Sequence, residues 1–306
     1  MQAIAARATR AIPDRRGAGR NELIAKKLPD IVGASKPADI RPARLRQLAR
    51  IYVTGREVRI CARAGILSPA MNDDSPTPLP SSPRLIVIDG PAGAGKSTVA
   101  RHLAERFCLP LLDTGAIYRT LALVAKRRGV AWTDGAGLGQ LTTDFPLSFQ
   151  TETKDGQLVQ RVLFDGEDMS VEIRTPHISE GASRVSAHSE VRAGLLGIQR
   201  ALAAGGCVAE GRDMGTVVFP GARDKFFLTA SLAARAARRH AELARSGKAE
   251  LAEVEREVAR RDQRDQSRAE APLVQAQDAV VLDSSNLEIA DVVDRIVAII
   301  RAREQG

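Results

Sequence analysis

Aromatic side chains are scarce: one Trp, two Tyr and seven Phe make up 3% of 306 residues. Binding of single-stranded nucleic acid leans on stacked aromatics, so a stacking platform is excluded. Cysteine is scarce as well. Cys61, Cys108 and Cys207 stand far apart, with no C-x-x-C pair and no zinc-ligand spacing. That excludes a disulfide framework and fits a reducing compartment. No apolar run approaches the ~18 residues of a membrane span. The Arg-rich beginning lacks the apolar core and small-residue site of a secretory signal. What is left is a globular chain expected in the cytoplasm, with 44% hydrophobic residues to build a core.

Positive charge is unevenly spread. The net charge is +8, from 45 Lys and Arg against 37 Asp and Glu. Residues 1–70 hold 15 basic and 5 acidic residues, a net of +10, so residues 71–306 carry 30 against 32, a net of −2. The basic balance belongs to the leading segment and says little about the chemistry of the rest. Residues 1–83 read as a basic extension, expected to be poorly ordered, closing on the Pro/Ser-rich linker MNDDSPTPLPSSP. Within it, Ile51-Tyr-Val-Thr and Arg59-Ile-Cys-Ala suit either strands or helix turns. The extension is either a tail for RNA, membrane or a partner, or an upstream stretch of reading frame with Met71 as the start. The place of Met71 just ahead of the first clear strand favours the second, and neither reading gives residues 1–80 a catalytic role.

From Arg84 the pattern sharpens. Leu85-Ile-Val-Ile reads as a buried parallel strand ending in Asp89-Gly90. Ala100, Leu103, Ala104 and Phe107 line one helix face, a second strand follows at Leu109–Asp113, and a helix runs near Ile117–Arg128. Around Asp155-Gly156 the alternation of Leu147, Phe149, Val162 and Phe164 predicts a β-hairpin. A helix near Val191–Ala204, strands at Cys207-Val-Ala-Glu, Lys225-Phe-Phe-Leu and Ala279-Val-Val-Leu, and a long charged helical stretch from Leu232 to Arg264 complete the middle. The last helix sets Ile289, Val292, Val293, Ile296, Ile299 and Ile300 on one face. The expected class is α/β: a five-stranded parallel sheet of the P-loop type with flanking helices. An insertion with a small antiparallel sheet is expected over about 145–185, and a helical lid over about 232–265.

Gly90-Pro91-Ala92-Gly93-Ala94-Gly95-Lys96-Ser97 satisfies G-x-x-x-x-G-K-[ST], between an apolar strand and an amphipathic helix, and Thr98 follows it. Backbone N–H groups must turn inward around phosphate oxygens, and small residues leave the room. The helix beyond points its positive end at the same phosphates. Lys96 supplies a compact charge, and the Ser97 hydroxyl stands at the Mg²⁺ position. This predicts binding of a nucleoside triphosphate and leaves the acceptor open.

Three further segments narrow the acceptor. Leu112-Asp-Thr-Gly-Ala-Ile-Tyr-Arg119, Glu210-Gly-Arg-Asp-Met-Gly-Thr-Val-Val-Phe219 and Arg261-Asp-Gln-Arg-Asp-Gln-Ser-Arg268, with Ala271-Pro-Leu and Val281-Leu-Asp-Ser-Ser, resemble the motifs of bacterial cytidylate kinases in order and separation. The resemblance runs from about Leu85 to the end. It implies transfer of the γ-phosphoryl of ATP·Mg²⁺ to CMP or dCMP by a monomeric enzyme that needs neither nucleic acid nor membrane.

The resemblance assigns Arg119, Arg212 and Arg268 to the acceptor phosphate, where planar guanidinium forks suit anionic oxygens. It places Arg261 and Asp265 at the ribose, Tyr118 and Thr114 close to the nucleotide, and Ser183, Arg192 and Asp213 at cytosine. A carboxylate suits the exocyclic amine of cytosine and repels the carbonyl of uracil. Arg235 and Arg239, one helical turn apart with Arg238 between them, are placed like lid residues that reach the transferring phosphoryl. No general base is expected, because a phosphate acceptor is already ionised.

Read from residues alone, several of these positions stay open. Asp113 suits a helix cap as well as a place near Mg²⁺. Tyr118 suits the core, and Arg261–Arg268 suits a solvated helix with i,i+4 charge pairs. Glu210 stands where many relatives carry Asp; at a strand end it could hold Mg²⁺ through water. Thr114 replaces a common Ser and keeps the hydroxyl. A kinase of UMP, AMP or shikimate is the nearer alternative, and a nucleic-acid-dependent ATPase the more distant one.

Overall fold

The structure, a computed structural model, describes residues 49–54, 57–62, 84–154, 157–244 and 250–305. Two short strands, β1 (Ala49–Thr54) and β2 (Glu57–Ala62), pair antiparallel from Ala49↔Ala62 to Thr54↔Glu57. Both stretches left open between strand and helix are therefore strands. The rest of the basic extension, its linker and Met71 lie outside the described residues.

The remainder is built on a five-stranded sheet. Its strands are β3 (Leu85–Asp89), β4 (Leu111–Asp113), β8 (Cys207–Glu210), β9 (Asp224–Thr229) and β10 (Val280–Asp283). Across the sheet the order is β10-β9-β3-β8-β4, and every neighbouring pair is parallel. Parallel neighbours need long crossovers, and helices supply them: α1 (Lys96–Phe107) between β3 and β4, α2 (Thr114–Arg127) and α5 (Ser189–Leu202) between β4 and β8, and α6 (Leu232–Ala244) and α7 (Leu251–Ser267) between β9 and β10; α8 (Ile289–Gln305) follows the last strand. Between α2 and α5 lie α3 (Gly135–Leu141), strands β5 (Leu147–Lys154), β6 (Gln157–Phe164) and β7 (Glu167–Asp168), and α4 (Pro176–Val185).

Period-two alternation along β3 divides the core. Ile86 and Ile88 join Val99, Leu103, Phe226, Leu228, Val292, Ile296 and Ile300 on one face, under α1 and α8. Val87 faces the other way, among Leu112, Ile117, Leu121, Val191, Leu195 and Ala209, under α2 and α5. Each of these fully buried aliphatic side chains contributes about 1.5–3 kcal/mol relative to exposure. A sheet covered on both faces explains why its strands read as continuous apolar runs.

The insertion carries the expected small sheet, in the order β5-β6-β7, with β6 and β7 antiparallel. Its second turn is Asp165-Gly166, both at positive φ (50° and 80°), while Asp155-Gly156 lies outside the described residues. The long helical stretch is two helices, α6 and α7, lying against each other. The short α3 went unforeseen. Its sequence, GAGLGQL, is poor in helix formers, but Asp134 caps it by accepting the Gly137 N–H at 2.9 Å.

Register aligns the carboxyl ends of three strands, with Glu210 opposite both Ile88 and Asp113. The loop after β3 leaves this edge at Gly90, whose φ is 145°. A Cβ there would stand 1.9 Å from the Leu228 carbonyl oxygen of β9. Gly90→Ala is therefore expected to destabilise the fold by about 2 kcal/mol or more, measured by urea unfolding, with loss of nucleotide binding in parallel.

Candidate functional site

The loop from Gly90 to Gly95 bends through positive φ at Gly93 (77°) and Gly95 (90°) before α1 begins at Lys96. Lys96 is buried, and its Nζ donates to the Pro91 carbonyl at 2.7 Å. Burial pushes this ammonium down, and the neighbouring Arg212 pushes it further, to about 7. Ser97 stands exposed at the start of α1, and its hydroxyl is close enough to the Glu210 carboxylate to lower the pKa of that group. Burial raises the pKa of Glu210, and the Asp113 carboxylate on the adjacent strand end adds to that.

Asp113 does two jobs at the head of α2. One oxygen accepts the Ala116 N–H at 2.9 Å, a helix cap, and the other accepts Arg119 Nη2 at 2.7 Å. The capping alternative is thus realised, with a guanidinium held in the same grip. The Thr114 hydroxyl donates to the Glu210 carbonyl at 2.7 Å, so it braces the strand end.

The loop after β8 carries two further charges. Arg212 Nε donates to Asp265 Oδ2 of α7 at 2.9 Å. Asp213 accepts from Arg192 of α5, and both partners are buried. Arg212 and Asp213 are therefore not a pair with each other. Each reaches a different helix. Arg192 also donates to the Ser186 carbonyl at 3.3 Å and lies 5.8 Å from the Tyr118 ring centroid. Burial pushes the Tyr118 hydroxyl up, and the Arg192 guanidinium opposes this. Tyr118 is a buried aromatic beside the charged groups, as its core reading expects.

On α7, Asp265 is the hub. Burial alone would raise its pKa, but the guanidiniums of Arg212, Arg261 and Arg268 outweigh that and hold it low. Arg261 is pushed down to about 10 by burial and by Arg212, and Arg268 is also pushed down, mainly by burial. The solvated-helix reading of Arg261–Arg268 fails for this face, because Asp262 and Asp265 are buried. Several buried donors of the cluster have no hydrogen-bond partner among the described residues: Arg119 Nε, Arg261 Nε, and Arg268 Nε and Nη2. The Ser183 hydroxyl on α4 is also buried and unpartnered.

Arg235 and Arg239, both expected to act from a lid, part company. Arg235 is buried, and its guanidinium donates to the Ala230 carbonyl (2.9 Å), the Ala92 carbonyl of the phosphate loop (3.2 Å) and Asp262. Arg239 is more exposed and pairs with Glu242 one turn on, at 3.0 Å. Arg238 instead donates to the Ser284 hydroxyl at 3.2 Å.

Three contributors were missed at the sequence level. Asp262 anchors Arg235. Glu180 of α4 takes Arg264 of α7 in a bidentate pair at 2.8 and 2.9 Å. Asp89, at the end of β3, accepts the Met214 and Gly215 N–H groups at 2.8 and 2.7 Å. A carboxylate closing a buried apolar strand was the available signal for Asp89; the other two are long-range pairs with no local signature.

The family model for cytidylate kinase matches residues 86–302. The chain belongs to the cytidylate kinase family. A cytidylate kinase of Geobacter sulfurreducens is 46% identical over 224 residues, covering 72% of this chain and 94% of that protein. One from Symbiobacterium thermophilum is 46% identical over 215 residues, covering 70% and 94%. A bifunctional pantoate ligase/cytidylate kinase of Synechococcus sp. matches at 46% over 222 residues, covering 72% of this chain and 45% of its own length. The solved structure TT1252 from Thermus thermophilus aligns at 22% identity and a TM-score of 0.36 over 74% of this chain and 100% of its own. Strand order and register, not that alignment, carry the fold of this cytidylate kinase family member.

Asp89 generates a pH dependence. Burial, together with the nearby Asp213, raises its carboxyl from 3.8 to about 6, although the two N–H bonds oppose this. A raised acid binds its proton more tightly in the folded state. The stability it contributes is complete below about pH 4 and is lost as pH rises through 6, an effect of about 3 kcal/mol. Urea unfolding of wild type and Asp89→Asn from pH 4 to 7 should show this as a difference in slope, with wild type falling relative to the variant.

Proposed function

We propose that the chain transfers the γ-phosphoryl group of ATP to CMP or dCMP, giving CDP or dCDP, by direct in-line transfer without a covalent intermediate. The observation that carries the acceptor side is the set of buried guanidinium donors left unpartnered on Arg119, Arg261 and Arg268. A buried donor without a partner costs about 1–3 kcal/mol. Oxygens of a phosphate and a ribose would satisfy all of them together.

On this reading the loop Gly90–Thr98 cradles the triphosphate, with Lys96 and the α1 N-terminus facing it. Arg119, Arg212 and Arg268 grip the acceptor phosphate and offset its repulsion by the donor. Arg261 and Asp265 hold the ribose. Ser183, Arg192 and Asp213 read the base, with Asp213 accepting from the cytosine amine. Thr114 and Tyr118 shape the wall beside it. Arg235 steadies the phosphate loop through Ala92, and Arg239 is the lid cation free to turn toward the transferring group.

Oxygen donors suit Mg²⁺, and the pair formed by the Ser97 hydroxyl and the Glu210 carboxylate fits that ion. Among the described residues no group of three or more His, Cys, Asp or Glu gathers to hold a metal by itself. Ser97 and Glu210 would therefore hold the ion with the phosphates, where it would offset negative charge on them. The activity requires no nucleic acid, no membrane and no second subunit. Among the described residues no helix is long and apolar enough to cross a membrane.

The test is ADP release by the full chain given ATP·Mg²⁺ with CMP, dCMP, UMP, AMP or no acceptor. Rapid release with CMP and dCMP alone is the expected result; stimulation by a different acceptor, or only by RNA, overturns the assignment. Arg268→Ala should lower kcat/KM for CMP by roughly 10- to 150-fold, the worth of one charge-assisted contact. The KM for ATP should stay within about twofold.

A further inference from the structure

Asp89 belongs to the phosphate-loop strand, yet both of its oxygens are spent on the other side of the site. Its carboxylate is buried at the end of β3, one residue before Gly90, and crosses to the loop that follows the neighbouring strand β8. There it accepts the N–H groups of Met214 (2.8 Å) and Gly215 (2.7 Å). These are the first two residues of a five-residue π-helical turn, Met214–Val218, and they directly follow Arg212 and Asp213. No side chain of the turn's own caps its start.

We propose that Asp89 is a positioning residue for choice of nucleobase: its carboxylate clamps the start of this turn and so fixes the direction in which Asp213 presents its own carboxylate. The proposal rests on the reading of Asp213 as the cytosine acceptor. Two parallel hydrogen bonds define an orientation where one would leave a swivel. The room around the clamp is small. A Cβ on Gly215 would lie 3.4 Å from Asp89 Oδ2, 3.3 Å from Lys225 Cδ and 3.3 Å from Ala276 Cβ. Asp213 is gripped from its far side by Arg192. Its backbone is thus held by Asp89 through the next two residues, and its side chain by α5. Selection against uracil depends on setting the carboxylate oxygen that Arg192 does not hold opposite a carbonyl, with no donor between them. That penalty exists only if the carboxylate cannot turn away.

Asp89→Asn is the informative change, because the amide keeps the size and one acceptor but sets an NH₂ group against the second N–H. The full chain is assayed with CMP and with UMP, beside wild type and Asp213→Asn. Asp213→Asn tests the underlying reading: it should collapse the CMP-over-UMP ratio of kcat/KM, and if it leaves that ratio intact, Asp213 does not read the base. Given that collapse, Asp89→Asn should lower the same ratio by about 10-fold or more through a higher KM for CMP, with KM for ATP within about twofold. An unchanged ratio, with only a lower Tm, makes Asp89 a purely structural residue and overturns the proposal. Should Asp89→Asn fail to fold, amide hydrogen exchange in the wild-type chain decides. Met214 and Gly215 must be among the protected amides, and fast exchange at either one overturns the clamp.

Discussion

Among the described residues, six cationic side chains, those of Lys96, Arg119, Arg192, Arg212, Arg261 and Arg268, meet with four carboxylates, those of Asp113, Asp213, Asp265 and Glu210. Such crowding works against folding, since each desolvated cation is costly and each repels the rest. The strain registers in part of the cluster: Lys96, Arg261 and Arg268 are pushed down, mainly by burial, whereas Arg192 and Arg212, each hydrogen-bonded to a buried aspartate, are pushed up. Each carboxylate steadies one or more guanidiniums and leaves other N–H groups unsatisfied. A site arranged this way is pre-organised for a ligand with several negative charges, and its electrostatic work is done before the ligand arrives.

The rest of the architecture distributes this burden over rigid and less rigid supports. Glu210, Asp113 and the phosphate loop sit at one edge of a sheet whose faces are both buried, so their spacing is set by strand register. The arginines of α7 are placed differently. Arg235–Asp262 joins α6 to α7 and reaches the phosphate loop, while Arg264–Glu180 joins α7 to the helix that carries Ser183. The positions of Arg261, Asp265 and Arg268 depend on these few ion pairs and on α6–α7 packing. On the proposed reading, the donor side is fixed by the sheet and the acceptor side by charge.

This division also decides what could be read from sequence. The phosphate loop has a spacing imposed by its ligand, and the strands of a doubly covered sheet are short apolar runs, so both were legible. The last helix announced itself by its 3.6-residue period. The partners of the arginines did not. Arg212 pairs with a residue 53 positions away and Arg192 with one 21 positions away, and composition cannot reveal such pairs. Residues 261–268 look like a solvated helix because their charges balance locally; packing against the loop after β8 turns one face inward. For α3, tertiary contact overrides propensity. Gly139 comes so close to α5 that an added Cβ would stand 2.9 Å from Glu190 Cβ, so the glycines that weaken the helix also let it dock.

Glu210 shows how the same charge balance bears on the donor side. Its register partner is the Asp113 strand end. Two carboxylates at adjacent strand ends compete for positive charge. Asp113 wins that contest through Arg119 and the α2 N-terminus, which leaves Glu210 with the Ser97 hydroxyl and the buried Lys96 as its nearest relief. The two groups are displaced in opposite senses, Glu210 toward its neutral acid and Lys96 toward its neutral amine. An anion alone would favour charged Lys96 while worsening Glu210, and a cation alone would do the reverse. Under the proposed reading, a polyphosphate that arrives with its divalent cation relieves both at once. On that reading the site would favour the complex of the two over either ion by itself.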